Sequence, residues 1–157
     1  MPVQRLKQFL DERGVRYITV SHSPAFTAQE IAASAHIPGK ELAKTVIVDV
    51  DGRMAMAVLP ASQRIDLDHL REELGADEVK LACEREFAQR FPGCDVGAMP
   101  PFGNLYDMDV FMADSLTDDE QIAFNAGSHT ELVQLDFSDF VRLVHPKVVD
   151  MSLRLAT

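Results

Sequence analysis

Val3, Leu6 and Leu10 recur at helical spacing and Gly14 supplies a stop, so the pattern predicts a short amphipathic helix at the start of the chain. Arg16 to Ser21 reads as a strand, broken by His22-Ser23-Pro24. Thr27-Ala28-Gln29-Glu30 has capping-box spacing, which opens a helix that runs towards Ala35 and ends at Pro38-Gly39. Thr45 to Val50 and Met54 to Leu59 are apolar runs joined by Asp51-Gly52. That dipeptide readily takes the positive φ values of a type I′ turn, so the segment predicts a β-hairpin. Leu67, Leu70 and Leu74 mark a helix stopped by Gly75. A second helix spans about Glu84 to Phe91 before Pro92-Gly93. Strands follow at Met108 to Ala113, Gln121 to Asn125 and Glu131 to Asp136, with Ser138 placed to cap a last helix over Asp139 to Val144.

Helices concentrate early and strands late. The expected class is α/β in the α+β sense: a mixed, largely antiparallel sheet or partly closed barrel flanked by helices. The 157 residues hold no repeat and no linker-like tract, so residues 1–157 read as one domain. Hydrophobic residues make up 46% of the chain and aromatics 7%, so aliphatic packing must dominate one sizeable core. No apolar run is long enough to cross a bilayer, and Met1 to Leu10 lacks the apolar stretch of a secretory signal. A cytoplasmic protein without membrane partners is expected. Cys83 and Cys94 have no metal-ligand spacing, nor do His22, His36, His69 and His145; two reduced thiols, surface or capping histidines and no metal are expected.

The net charge of −10 is unevenly placed. Asn104 to Phe140 carries nine acidic residues and no Lys or Arg, whereas Met1 to Gly103 is nearly balanced, with 15 acidic and 12 basic residues. Phosphate contacts supply most non-specific affinity for nucleic acid, so this balance argues against general binding, DNA included. A local patch touching the end of an RNA remains open, with Lys40, Lys44, Arg53 and Arg64 as candidates.

Three segments carry residue types that serve poorly as packing. Lys44 enters an apolar strand, where a cation is costly without an anion. It can meet a phosphate or a developing oxyanion, or it can snorkel to solvent. Gly97-Ala98-Met99-Pro100-Pro101-Phe102-Gly103 is either a stiff wall that lets backbone approach a ligand or a structural turn. Asn125-Ala126-Gly127-Ser128-His129-Thr130-Glu131 can present consecutive N–H groups and a ring at one spot, or simply join two strands around a satisfied histidine.

In this order and at this separation, Ala-Lys-Thr-Val-Ile-Val, Gly-x-x-Pro-Pro-Phe-Gly and Asn-Ala-Gly-Ser-His-Thr-Glu resemble the YbaK-type aminoacyl-tRNA deacylases, relatives of the editing domain of bacterial prolyl-tRNA synthetases. The resemblance runs from His22-Ser23-Pro24 to Asp139-Phe140. It implies a YbaK-like α/β domain on a curved sheet, and hydrolysis of the ester between an amino acid and the terminal adenosine of tRNA. By resemblance, Lys44 positions the terminal phosphate or ribose, and the Gly127-Ser128 backbone cradles the carbonyl oxygen. His129 limits the accepted side chain, Thr45 and Asn125 line the pocket, and Gly97, Pro101, Phe102 and Gly103 form the facing wall. An aminoacyl ester is activated, so a positioned water and a stabilised oxyanion suffice without a metal, a cofactor or a protein nucleophile. Ser128 and His129 are adjacent on a tight turn with no third orienting acid, which disfavours serine catalysis.

The implied partners are the acceptor end of mischarged tRNA and, as a further option, an aminoacyl-tRNA synthetase. Ala98 and Met99 in the wall point to a small substrate side chain. The competing class is a non-catalytic module that holds an aminoacyl or nucleotide ligand or docks on a synthetase, with the acidic stretch Asp114 to Glu120 as its surface.

Overall fold

The computed structural model describes residues 2–21, 42–61, 63–90, 99–118, 120–127 and 131–151. The helix expected from Thr27 to Ala35 lies outside them, as do Gly97, Ser128, His129, His22, His36, Lys40 and Cys94. Among the described residues, helix α1 covers Pro2–Glu12 and strand β1 Tyr17–Ser21. Strands β2 (Leu42–Val50) and β3 (Arg53–Pro60) form the expected hairpin. Asp51 at φ 50 and Gly52 at φ 89 make the turn, and Gly52 N–H donates to Asp49 Oδ1 at 2.7 Å. Helix α2 spans Leu67–Leu74. It starts where the Asp66 carboxylate accepts from His69 N–H at 3.1 Å and stops at Gly75, which adopts φ 65.

Strand β4 (Val79–Leu81) and helix α3 (Glu84–Phe87) follow, the latter continued by a 3₁₀ turn at Ala88–Arg90. The expected helix to Phe91 is thus α-helical for one turn only, its described end tightening to 3₁₀ geometry. Beyond a 3₁₀ turn at Gly103–Leu105 come β5 (Asp109–Ala113), β6 (Gln121–Asn125), β7 (Glu131–Asp136), helix α4 (Phe137–Val144) and β8 (Lys147–Val149). Helix α4 begins two residues before the position expected from Ser138, which lies inside it. Its first amide, Phe137 N–H, donates to Glu120 O at 2.9 Å, so the residue before β6 supplies the acceptor that a capping side chain would otherwise provide. His145 closes the helix in the left-handed region at φ 53.

The strands form one open sheet in the order β1-β7-β6-β2-β3-β5-β8, with β4 paired to β2 beyond the path. Four pairings are antiparallel (β1·β7, β6·β7, β2·β3, β2·β4), and β2·β6, β3·β5 and β5·β8 are parallel. The mixed, open form of the expected architecture is therefore the one adopted.

Alternation along the strands divides the core in two. Ala43, Ile47, Met56, Val58, Ile122, Phe124, Val133 and Leu135 face α1 (Leu6, Leu10), the residue 99–108 loop and α4 (Phe140). Val48, Ala55, Ala57 and Leu59 face α2 through Leu70, with Met151 alongside.

The loop joins the first of these clusters tightly. A Cβ added at Gly103 would stand 2.3 Å from Met108 O and 2.6 Å from Val110 Cγ2. Both neighbours are held, since Met108 N–H donates to Gly103 O at 2.9 Å and Val110 pairs with Met56 on β3. Gly103→Ala is expected to destabilise the fold by about 3 kcal/mol. Urea unfolding of the variant should show a lower midpoint at an unchanged slope.

Candidate functional site

The start of β2 is flanked by two strands at once. Lys44 faces Leu59 across the antiparallel β2·β3 rungs. On the other side β6 runs parallel, pairing Leu42 with Ala123 and Ala43 with Phe124. Asn125, the next residue of β6, therefore comes beside Lys44 and shares its face of the sheet. Gly127 follows two residues later, in a left-handed conformation at φ 103 that favours glycine. Ala126 N–H donates to Glu131 O at 3.1 Å, which closes the chain reversal between β6 and β7. Lys7 on α1 pairs with Glu131 at 3.0 Å and ties that reversal to the first helix. In sequence Glu131 reads only as part of a motif; its ion pair joins residues 124 positions apart, which no local pattern signals.

Lys44 is partly buried and, among the described residues, makes no hydrogen bond or ion pair. Its pKa is lowered from the ordinary 10.5, first by burial and then by the positive charge of Arg64. Among the described residues Lys44 is thus a cation without an anion in an apolar strand, and the positive charge of Arg64 adds to the imbalance. Arg64 belongs to the turn after β3. Ala61 N–H donates to Leu42 O at 2.8 Å, one rung beyond the Ala43–Pro60 pair, and Gln63 N–H to Pro60 O at 2.9 Å, so the chain turns at the end of the sheet where β2 begins. Of the cations proposed for an RNA patch, Lys44 and Arg64 come together. Arg53 sits beside the hairpin turn, six rungs or about 20 Å along the sheet.

Two buried polar atoms have no partner among the described residues, Thr45 Oγ1 and Asn125 Oδ1. A buried polar atom left unpaired costs about 1–3 kcal/mol, so each calls for an explanation. Asn125 lies on the Lys44 face, where a ligand donor can satisfy it. Thr45 is buried and alternates to the other face, towards the larger cluster.

Phe102 belongs to that other side too. Its ring is fully buried, 5.5 Å from the rings of both Phe124 and Phe140 and 6.1 Å from Phe9. Pro101 and Gly103 are also buried. The described part of the expected wall is therefore packed into the core behind the sheet, and the Phe102 ring offers a ligand no surface.

A cavity of about 640 Å³ lies elsewhere, lined by Gly52, Arg53, Met54, Arg90, Asn104, Asp107, Met108 and Asp109. It sits at the hairpin end of the sheet and contains none of the residues singled out in the three segments. Among the described residues no group of three or more His, Cys, Asp or Glu could hold a metal ion. Cys83 is exposed. His69 stands 3.3 Å from Glu73 and 3.6 Å from Asp150 at the surface.

The sequence profile of the aminoacyl-tRNA editing domain matches residues 22–143, which include β2, β6 and the reversal after it. The chain belongs to the aminoacyl-tRNA editing domain family. Among characterised proteins similar to this editing domain is the multifunctional Ser/Thr-tRNA deacylase ProXp-y of Escherichia coli (strain K12), 29% identical over 153 residues, which cover 94% of this chain and 90% of that protein. The prolyl-tRNA editing protein ProX of Acetoanaerobium sticklandii is 26% identical over 141 residues, covering 86% and 85%. The fold matches that of a candidate trans-editing enzyme for prolyl-tRNA synthetase with a TM-score of 0.82 at 17% identity, over 98% of each chain. Among the described residues, no helix of the editing domain is long and apolar enough to cross a membrane.

Proposed function

We propose that this editing domain hydrolyses the ester that joins a small amino acid to the terminal adenosine of a mischarged tRNA. The observation that carries the reading is Lys44: a partly buried cation with no counter-ion among the described residues, beside the glycine turn that ends β6, within a family defined by aminoacyl-tRNA editing. Its relatives' names support the reaction, one as a Ser/Thr-tRNA deacylase and one as a prolyl-tRNA editing protein.

In the proposed reaction, water adds to the acyl carbon and the carbonyl oxygen becomes an oxyanion. Backbone N–H groups around Gly127 and Ser128 stabilise that charge, as such donors do in acyl transfer. The tetrahedral intermediate collapses with loss of the ribose oxygen, which takes up a proton. The products are the free amino acid and a tRNA with its hydroxyl restored. Lys44 holds the terminal nucleotide so that the ester meets the donors, while Asn125 Oδ1 accepts a hydrogen bond from the bound substrate. His129 and Thr45 remain candidates for shaping the pocket from the turn and from behind β2, with the Gly97–Gly103 loop supporting it from the core side. Discrimination of side chains by such a pocket is worth about 1–3 kcal/mol per methylene, which is why synthetases need a second sieve. A synthetase that delivers the tRNA is a further proposed partner.

The test is a panel of tRNAs mischarged with alanine, serine, threonine or cysteine, with release of amino acid followed against spontaneous hydrolysis. No release above background from any of them rejects the reading.

A pH dependence follows from Lys44. Burial and Arg64 both disfavour its charged form, so its proton is lost at a lower pH than that of an ordinary lysine. After subtraction of spontaneous hydrolysis, kcat/KM should fall on an alkaline limb that begins below pH 10.5. A profile flat through that range would remove the charge on Lys44 from the mechanism.

A further inference from the structure

We infer that Arg64 is a second anionic anchor, binding the phosphodiester on the 5′ side of the terminal adenosine together with Lys44. The inference deepens the proposed function, because it names the part of the substrate this end of the site reads. It starts from geometry. The bond from Ala61 N–H to Leu42 O continues the β2·β3 ladder one rung past Pro60, and Gln63 N–H to Pro60 O turns the chain there, so Arg64 lies at the end of the sheet where β2 begins and Lys44 emerges. Two further contacts secure the turn. Gln63 Oε1 accepts from the Ser115 hydroxyl at 3.4 Å, and Asp66 N–H donates to Met151 O at 2.7 Å before its side chain caps α2. Arg64 is thus carried on a fixed stretch of backbone between β3 and α2.

Two cations at this point repel each other, and neither has a carboxylate partner among the described residues. The rest of the chain is rich in carboxylates, with 25 acidic residues against 15 basic, so the lack of a partner here stands against composition. A phosphodiester answers both charges with one group. Its two free oxygens take charge-assisted hydrogen bonds from a planar guanidinium, while an ammonium approaches as a point charge. No described residue supplies the anion, and in an aminoacyl-tRNA the phosphate nearest the ester is the one that joins the last nucleotide to the chain. Arg64 is exposed and Lys44 partly buried, so Arg64 makes the outer contact and Lys44 the inner one. The acidic balance of the protein opposes binding along the tRNA body, and a contact with this one phosphate gives affinity at the acceptor end without a broad basic surface.

The experiment compares adenosine esterified with a small amino acid with the same compound bearing a 5′-phosphate, and uses adenosine and 5′-AMP as probes of binding alone. For the wild-type protein the phosphate should raise kcat/KM by about tenfold, chiefly through KM, and should tighten binding of AMP over adenosine by a similar factor. In Arg64→Gln both ratios should fall towards one, and Arg64→Lys should recover part of each. A ratio that stays at the wild-type value in Arg64→Gln overturns the inference, as does a wild-type protein indifferent to the phosphate. The two readings fail separately. A protein that binds AMP in an Arg64-dependent way yet releases no amino acid refutes the proposed reaction and leaves this anchor standing.

Discussion

Lys44→Met is expected to lower deacylation of a mischarged tRNA by about 10²- to 10³-fold, the loss typical when one preorganised donor to a reacting or anionic group is removed. The fold should survive. Lys44 shares its face of the sheet with Leu59 and Asn125, and an unbranched apolar side chain can cover the same strand surface. Thermodynamic linkage points the same way. The folded state holds the Lys44 proton less tightly than the unfolded chain does, so the charged lysine opposes folding below its lowered pKa. That opposition fades as pH rises from the lowered value towards 10.5, because in this window the unfolded chain binds more protons. At neutral pH the full opposition is present, and Met removes it. Thermal unfolding of Lys44→Met at pH 7 should therefore give a Tm equal to or above the wild-type value alongside the collapse in turnover. A variant that loses activity and stability in parallel would make Lys44 a structural residue, and one that keeps full activity would remove it from the site. The combination of lost function and kept stability is what a residue placed for a ligand produces.

Much of this arrangement is legible in the sequence because its parts are local. Asp51-Gly52 between two apolar runs, the first of them β-branched, specifies the hairpin, and the Leu67, Leu70, Leu74 spacing with Gly75 specifies α2 to the residue. Lys44 stands out as a misfit from the apolar pattern of its strand alone. What stays hidden depends on distant partners. Strand β4 has three residues and no apolar pattern of its own, with Lys80 and Leu81 exposed. It is held because the Asp51 carboxylate accepts from Asp77 and Glu78 N–H at 3.1 and 2.8 Å, and because Asp51 N–H donates to Glu78 O at 3.0 Å. Strand β8 is equally short and follows directly on α4, pairing only with the far end of β5. Arg64 reads in sequence as one cation among several. Only the β2·β3 register and the turn that follows it bring Arg64 to the end of the sheet that holds Lys44. The two faces of β2 are also a matter of register: Lys44 and Thr45 are adjacent in sequence and point to opposite sides, so a motif that contains both cannot say which one meets a ligand.

Phe102→Ala is expected to cost about 3–5 kcal/mol of stability, among the largest effects of any single truncation in the chain. In sequence Phe102 stands within a proline- and glycine-rich loop, a place where an aromatic ring commonly lines a pocket. Its neighbours in space decide otherwise. The ring meets Phe124 on β6, Phe140 on α4 and Phe9 on α1, edge-on or tilted at 5.5 to 6.1 Å, so one side chain joins the loop to the sheet and two helices. Pro100 O accepts from Phe102 N–H at 2.8 Å, and Phe102 O from Leu105 N–H at 2.9 Å, which leaves the backbone little freedom to close over the lost volume. Chemical denaturation should show the loss directly. Phe102→Leu, which keeps most of the buried volume, should cost clearly less. The pair separates packing from recognition. If the ring acts through the core, specific activity of the folded Leu variant stays close to wild type and the choice among mischarged amino acids does not change. A changed preference among alanine, serine and threonine esters in a well-folded Phe102→Leu protein would show instead that the ring's shape reaches the site through β6. Phe124 is the element that could transmit it, because it touches Phe102 on one side and pairs with Ala43, next to Lys44, on the other.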